Sequence, residues 1–456
     1  MEQFNLIVLG GGPGGYPLAA RMAKKGWKVA VVDQESEFGG TCLNWGCIPT
    51  KALLASSKAL HLLKNAADFG LKCSDTGFDW EKVQQRKDKI TSQLRLGIIK
   101  MLEKSGVKIF KGLGKLYAGR IVKVEGVDSA EISGEKICLA VGSVPSIPPV
   151  FPQNSDIFWS SNEALHSKEI PESLLVVGGG VIGVELGQVF SEFGSKVTIV
   201  EMMPNILPGL DSATAKRLMP VFKKAGMEIL TGKKVESLIE KDGRAVATID
   251  GSERTFARVL IAVGRKVNFS FKGDSSINIE TERGLIKTDN NYATSEAEVY
   301  AVGDAIKGPM LAHKASYDAM ILAAKFSGEK IEADYSLVPS CVYTHPEIAW
   351  VGKSEDQLKD ENIEYKTGRS LFSANGKALT VGEGDGQIKT MISNDGQLLG
   401  AVIWGPEASN IINEATMMSQ FNISSHAFGQ MIHPHPTLSE AFLESVENAE
   451  GTGVHG

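Results

Sequence analysis

The chain has 456 residues, more than one compact core accommodates, so about three domains are expected. Its net charge of −6, with 43% hydrophobic and 22% charged residues, is ordinary for a soluble globular protein and gives no reason to expect a nucleic-acid partner. No run of about 18 uninterrupted apolar residues occurs, so no membrane span is expected.

The apolar run Leu6-Ile7-Val8-Leu9 begins almost at once. No signal or transit segment is expected before it, and a cytoplasmic setting follows, with an organelle matrix as the alternative for a processed chain. Residues 5–9 read as a buried strand ended by glycine. Gly10-Gly11-Gly12-Pro13-Gly14-Gly15 follows, then Leu18, Ala19, Ala20, Met22 and Ala23 at helical spacing. A second strand, Val29-Ala30-Val31-Val32, ends at Asp33. In such a unit the first glycine makes a tight turn, the second lets backbone approach a pyrophosphate, and the third packs helix on strand. The phosphates sit at the helix N-terminus, and the terminal carboxylate takes a ribose hydroxyl.

Next comes Gly39-Gly40-Thr41-Cys42-Leu43-Asn44-Trp45-Gly46-Cys47-Ile48-Pro49-Thr50-Lys51. Cys42 and Cys47 are five apart, so a loop or a distorted first helical turn is needed to join their sulfurs. Pro49 suits an early helical position, and Ala52, Leu53, Leu54 and Ala55 continue a helix. A helix N-terminus favours thiolate, as dithiol exchange requires. A buried structural pair is the other reading. Cys73, Cys138 and Cys341 are scattered and read as small apolar residues.

Leu139-Ala140-Val141-Gly142-Ser143-Val144-Pro145 reads as a strand ending where chain leaves one domain. The first unit then recurs. Leu174–Val177 precedes Gly178-Gly179-Gly180-Val181-Ile182-Gly183, a helix runs through Leu186, Val189 and Phe190, and Val197–Val200 ends at Glu201. Gly10, Gly12, Gly15 and Asp33 match Gly178, Gly180, Gly183 and Glu201, so two dinucleotide sites are expected. No arginine follows Glu201 to meet a 2′-phosphate, so the second site should prefer NAD(H). Leu260–Arg265 is the counterpart of the first connector, with Gly264 at its turn. Val299–Ala305 puts Asp304 just past a strand, where it can accept from sugar-like hydroxyls or cap a helix.

From about 337 the character changes to mixed α+β. Strands are expected at 342–343, 348–351 and 398–404, and helices near 407–420 and 437–449. The segment Ile432-His433-Pro434-His435-Pro436-Thr437-Leu438-Ser439-Glu440 offers His435 for thiol proton transfer, with Glu440 to orient it. The alternative is a rigid His-Pro loop with Thr437 as an N-cap. A cis His435–Pro436 bond is a further expectation. His433 and His435 complete no metal site, and no metal is expected. Glu440, Glu444 and Glu447 share a helical face, either solvated or offering acidic contacts.

Together, Gly39–Lys51, both fingerprints and Gly303-Asp304 resemble the class I pyridine nucleotide-disulfide oxidoreductases over nearly the whole chain. Gly308–Lys314, Tyr343–Glu347 and His435–Glu440 are similar to the dihydrolipoyl dehydrogenases within that family. The resemblance implies an α/β fold with two Rossmann-like domains and a C-terminal α+β dimerisation domain. Its divisions would be 1–145 (FAD-binding), 146–266 (NAD-binding), 267–336 (a return to the first) and 337–456 (interface).

It implies that Gly10, Gly12, Gly14, Gly15 and Asp33 hold FAD, with Gly40, Thr41, Lys51, Gly114, Gly142 and Ser143 beside it. Asp304 would meet the ribityl chain, and Met310, Leu311, Ala312 and His313 would lie along the cofactor. Gly178, Gly180, Val181, Ile182, Gly183, Glu185, Glu201, Val235 and Gly264 would serve NAD. Cys42 would be the interchange thiol and Cys47 the thiol next to the flavin, with Lys51 paired to Glu185. The resemblance also implies a homodimer in which His435 and Glu440 serve the other subunit's cysteines. A lipoyl-bearing acyltransferase or glycine-cleavage carrier protein would be the partner. The reaction would pass electrons from dihydrolipoyl dithiol through the enzyme disulfide and FAD to NAD⁺.

Other family branches fit less well. Glutathione-type reductases carry tyrosine where Val181 stands, and mercuric reductases a vicinal cysteine pair near the C-terminus. Soluble transhydrogenases lack the cysteine pair. Another disulfide reductase of the family, or a flavin-binding scaffold subunit, is the alternative function. Val141 and Trp45 depart from the residues usual at their places.

Overall fold

The computed structural model describes residues 1–455 apart from 36–37, 75, 153–154 and 275–276. The strand Glu2–Leu9 has Leu6, Ile7 and Val8 wholly buried, and Val29–Asp33 is buried at every position. Runs without polar alternation belong in a parallel sheet covered on both faces. Such pairing forms from Lys108–Lys111 through Val29–Asp33 and Glu2–Leu9 to Ala130–Leu139, and the sheet continues antiparallel through Ile121–Glu125 to Leu113–Tyr117. Val299–Ala301 pairs with the far half of Ala130–Leu139, bringing distant chain back into this sheet. The helix Tyr16–Lys24 packs on the helix Ala312–Phe326.

The second unit repeats the pattern. Its sheet runs Met227–Thr231, Lys196–Glu201, Ser173–Val177, Arg258–Ile261, Phe158–Trp159, all parallel. The helix Val181–Glu192 packs on it. A three-stranded antiparallel meander, Val235–Lys241, Arg244–Ile249 and Ser252–Phe256, adjoins it. This meander was not expected, because its outer strands bury few residues, only Val235, Leu238 and Phe256, and carry charges elsewhere. The two connectors read from sequence pair with each other, Ser143–Pro145 antiparallel to Arg265–Val267.

The last unit is a five-stranded antiparallel sheet, Ser340–Val342, Glu347–Gly352, Leu398–Gly405, Gln387–Ile392, Lys366–Leu371. The helices Ala408–Gln420 and Ser439–Glu450 pack on it. The final helix starts two residues later than expected, because the Thr437 amide donates to Glu440 Oε2 instead of entering the helix. Leu438 is its N-cap and makes no side-chain cap bond, so Thr437 does not cap this helix. Among the described residues no helix is long and apolar enough to cross a membrane.

Candidate redox and dinucleotide site

One cavity of about 1840 Å³ is lined by residues of all three units. The first fingerprint enters it from the end of Glu2–Leu9. Gly10 has φ +108°, and a Cβ there would fall 2.2 Å from the Ala140 carbonyl oxygen. A Cβ on Gly15 would fall 1.8 Å from the Gly10 carbonyl oxygen, so helix and turn close only on glycine. The helix Tyr16–Lys24 has no side-chain cap and no acid in its first turn. That leaves an N-terminus suited to phosphate. Asp33 Oδ2 accepts from the Gly11 amide at 2.5 Å, and burial pushes its carboxyl up to about 6.

The second fingerprint copies this geometry. Gly178 also has φ +108°, with a Cβ only 2.5 Å from the Ala262 carbonyl oxygen, and a Gly183 Cβ would meet the Gly178 oxygen at 2.1 Å. The helix Val181–Glu192 begins at Gly180 without a side-chain cap. Glu201 accepts from the Gly179 and Met203 amides, each at 2.7 Å. Gly142, Gly180 and Gly264 line the cavity with nothing within 4 Å of an added Cβ, so open space stands over each. The uncapped helix starts and these bare glycines fit a dinucleotide in each half. Gly12, Gly14, Gly40, Thr41, Gly114, Val181, Ile182 and Val235 also line the cavity.

Cys42 lies in the short helix Gly40–Asn44, and Cys47 is the first residue of the helix Cys47–Lys64. Both are free thiols. The Cys42 thiol donates to the Cys47 sulfur, which pushes Cys42 up and brings Cys47 down to about 7. The Lys51 charge adds to the lowering, while burial opposes it. Lys51 Nζ stands 2.7 and 2.9 Å from the two oxygens of Glu185, a buried residue of the second unit. The Tyr343 amide donates to the same carboxylate at 2.8 Å, and its ring lies 4.5 Å from the Lys51 ammonium. Sequence reasoning had not singled out Tyr343 for this place.

Asp304 sits inside the turn Gly303–Ala305, not at a helix start, so the capping alternative is not realised. Its carboxylate accepts from Ser143 Oγ at 2.6 Å. Arg265 completes that group: Nε donates to Ser143 Oγ at 2.7 Å, and one terminal nitrogen to the Ser143 carbonyl at 2.6 Å. Arg265 was read only as the end of a connector. The pairing of Ser143–Pro145 with Arg265–Val267 brings it here. Met310, Leu311, Ala312 and His313 line the cavity, as do Trp45 and Val141.

His435 Nδ1 lies 2.8 Å from Glu440 Oε1, and the His435–Pro436 peptide is cis. Neither residue lines the cavity of its own chain, and the His435 side chain is 80% exposed. Glu444 is occupied by the Val454 and His455 amides, so it is not an open acidic contact. No metal-ligating cluster occurs among the described residues.

The family model "Pyridine nucleotide-disulphide oxidoreductase" matches residues 4–319, and that family's dimerisation-domain model matches 338–446. The dihydrolipoyl dehydrogenase of Bacillus subtilis strain 168 is 36% identical, with 99% of each chain covered. That of Thermus scotoductus is 38% identical over 100% of this chain and 99% of its own. Among solved structures, the Cu(II) complex of the HOCl-induced flavoprotein disulfide reductase RclA of Escherichia coli superposes with TM-score 0.89 at 26% identity, covering 98% and 99% of the chains. LpdA of Mycobacterium tuberculosis, at 24% identity and TM-score 0.90, shares the fold over 98% and 99%.

Proposed function

The chain belongs to the pyridine nucleotide-disulphide oxidoreductase family, and within it we propose the activity of a dihydrolipoyl dehydrogenase. The observation that carries this is the hydrogen-bonded Cys42–Cys47 pair opening into the same cavity as both fingerprints. FAD in the first half supplies a two-electron relay between the dithiol and NAD⁺ in the second.

A dihydrolipoyl thiolate attacks Cys42 Sγ of the Cys42–Cys47 disulfide, and Cys47 leaves as thiolate. The substrate's second thiolate then attacks its own sulfur in the mixed disulfide, closing lipoyl and releasing Cys42. His435 of the partner subunit, oriented by the partner's Glu440, takes the two thiol protons in turn; one is released to solvent and the other balances the hydrogen carried off on NADH. The thiol pair's two electrons leave on NADH. The lowered Cys47 and raised Cys42 support this division of roles. Lys51, tied to Glu185, keeps a positive charge beside Cys47. Asp33 and Glu201 receive the two riboses, and Asp304 the flavin's ribityl hydroxyls. The carboxylate ending at Glu201 without a neighbouring arginine supports NAD(H) over NADP(H). The return of Val299–Ala301 to the first sheet supports the division into 1–145, 146–266, 267–336 and 337–456. A second copy and a separate lipoyl-bearing carrier complete the assembly.

The test is anaerobic titration with dihydrolipoamide while the visible spectrum is followed, with NAD⁺ added next. Reduction by the dithiol followed by NADH formation is expected. No reduction by dihydrolipoamide would move the substrate to another disulfide.

A further inference from the structure

Three polar side chains buried behind Gly303, Lys314, Asp318 and Tyr292, together with the more exposed Tyr335, have no part in the chemistry above. We propose that Lys314, Asp318 and Tyr335 form a clamp that locks the turn Gly303-Asp304 to the start of the helix Ala312–Phe326 and thereby sets how tightly the flavin is held. This rests on the FAD reading of the first site.

Lys314 is 2% exposed and Asp318 fully buried, with Lys314 Nζ 2.8 Å from Asp318 Oδ2. Lysine is almost never buried this far unless paired. The pair holds both backbone groups of one residue. The Gly303 amide donates to Asp318 Oδ2 at 2.9 Å, and Lys314 Nζ donates to the Gly303 carbonyl at 3.2 Å. Gly303 has φ +74°, a conformation only glycine adopts freely. The next residue is Asp304, which faces the cavity. Gly308 is shaped to the same end, since a Cβ there would fall 2.9 Å from Lys314 Cε.

The other carboxylate oxygen is also used. Tyr335 donates to Asp318 Oδ1 at 2.7 Å, and the Tyr292 hydroxyl lies 2.8 Å from that of Tyr335. Replacing a buried ion pair by apolar residues is often neutral or stabilising, so stability alone does not explain this one. Its geometric effect is specific. Lys314 and Asp318 stand on the helix whose first residues, with Met310 and Leu311, line the cavity. One ion pair therefore registers two cofactor-facing segments, and Tyr335 ties them to the chain leading into the last sheet. That helix opens without a side-chain cap, so its N-terminal dipole favours extra negative charge on a group in front of it.

The test compares wild type, Asp318→Asn, Lys314→Met and Tyr335→Phe as purified flavoproteins. It measures FAD release by fluorescence, the flavin midpoint potential by dye equilibration, and thermal unfolding of the apoprotein. Tyr335→Phe removes one hydrogen bond to a charged group and should release FAD about tenfold faster. Reduced flavin, which carries the extra negative charge, should be weakened a further tenfold relative to oxidised flavin, so the midpoint potential should fall by about 30 mV for this two-electron couple. Asp318→Asn should exceed both effects. A merely structural role would lower apoprotein stability and leave release rate and potential unchanged, and that result overturns the clamp. If Lys314→Met does not fold, Tyr335→Phe decides. A wild-type protein without flavin overturns both clamp and FAD reading. A flavoprotein that ignores dihydrolipoamide overturns only the substrate, and FAD release still decides the clamp.

Discussion

Cys47 is where the surrounding residues act most directly on reactivity. Opposing influences act on its proton: the Cys42 thiol and Lys51 lower its value, and burial and the Glu185 carboxylate raise it, with a balance at about 7. The thiolate is the nucleophile, so alkylation of the reduced protein by iodoacetamide should rise through a midpoint near 7. Removing a lowering contact moves that midpoint up. Cys42→Ala should move it furthest, since the thiol hydrogen bond is the largest cause, and Lys51→Met should move it by roughly one pH unit. Tyr343 acts through its ring face over the Lys51 ammonium, so Tyr343→Phe should leave the midpoint in place while Tyr343→Leu shifts it upward by less than Lys51→Met. A pH profile of alkylation for these four variants checks the order.

At the scale of elements, the two nucleotide units differ in sequence but share one steric demand. Gly178→Ala places a Cβ 2.5 Å from the Ala262 carbonyl in a backbone with φ +108°. The second turn should open and NAD⁺ reduction should fall by about 10²-fold, a loss of about 2.7 kcal/mol. Dihydrolipoamide should still reduce the flavin, because the first turn is untouched. Stopped-flow spectra of the two half-reactions separate these outcomes. This much was legible beforehand, because glycine spacing and the acid closing each second strand are local features. Arg265 and Tyr343 were not. Arg265 reaches Ser143 across 122 residues, and Tyr343 reaches Glu185 across 158, through pairings that a linear pattern does not encode. The same holds for Lys389, whose ammonium lies 2.9 Å from both Asp211 and Glu355 and joins the last sheet to the second unit. Lys389→Met leaves the buried Asp211 carboxylate without its cation and should cost about 3–5 kcal/mol in urea unfolding at neutral pH. Burial pushes Glu355 up, but Lys389 and Lys359 outweigh it and hold the carboxyl at about 2. A depressed folded value contributes stability above the ordinary 4.5, and loses it as pH falls toward about 2. The variant should therefore show a shallower loss of stability than wild type across that window.

At the scale of the whole molecule, the decisive fact is that His435 and Glu440 are bonded to each other yet stand outside the cavity holding their own chain's cysteines. A dimer built on the C-terminal unit gives each pair a second chain's cavity to serve, since a two-fold interface exchanges contacts reciprocally. The proposal can be decided without locating the interface. Cys42→Ser and His435→Gln homodimers should each be inactive toward dihydrolipoamide. In a heterodimer of the two, one cavity combines the altered cysteine with the altered histidine and is dead. The other combines Cys42 of one chain with His435 of its partner, both intact. A doubly tagged, purified heterodimer should then regain about half the wild-type rate. If each chain's His435 served its own cysteines, both cavities would carry one defect and the heterodimer would be as inactive as its parents. Transfer of reducing equivalents from NADH to the flavin uses neither altered residue, so it should proceed at the wild-type rate in all three species. Its loss in the heterodimer would point to damaged folding and not to a missing partner residue.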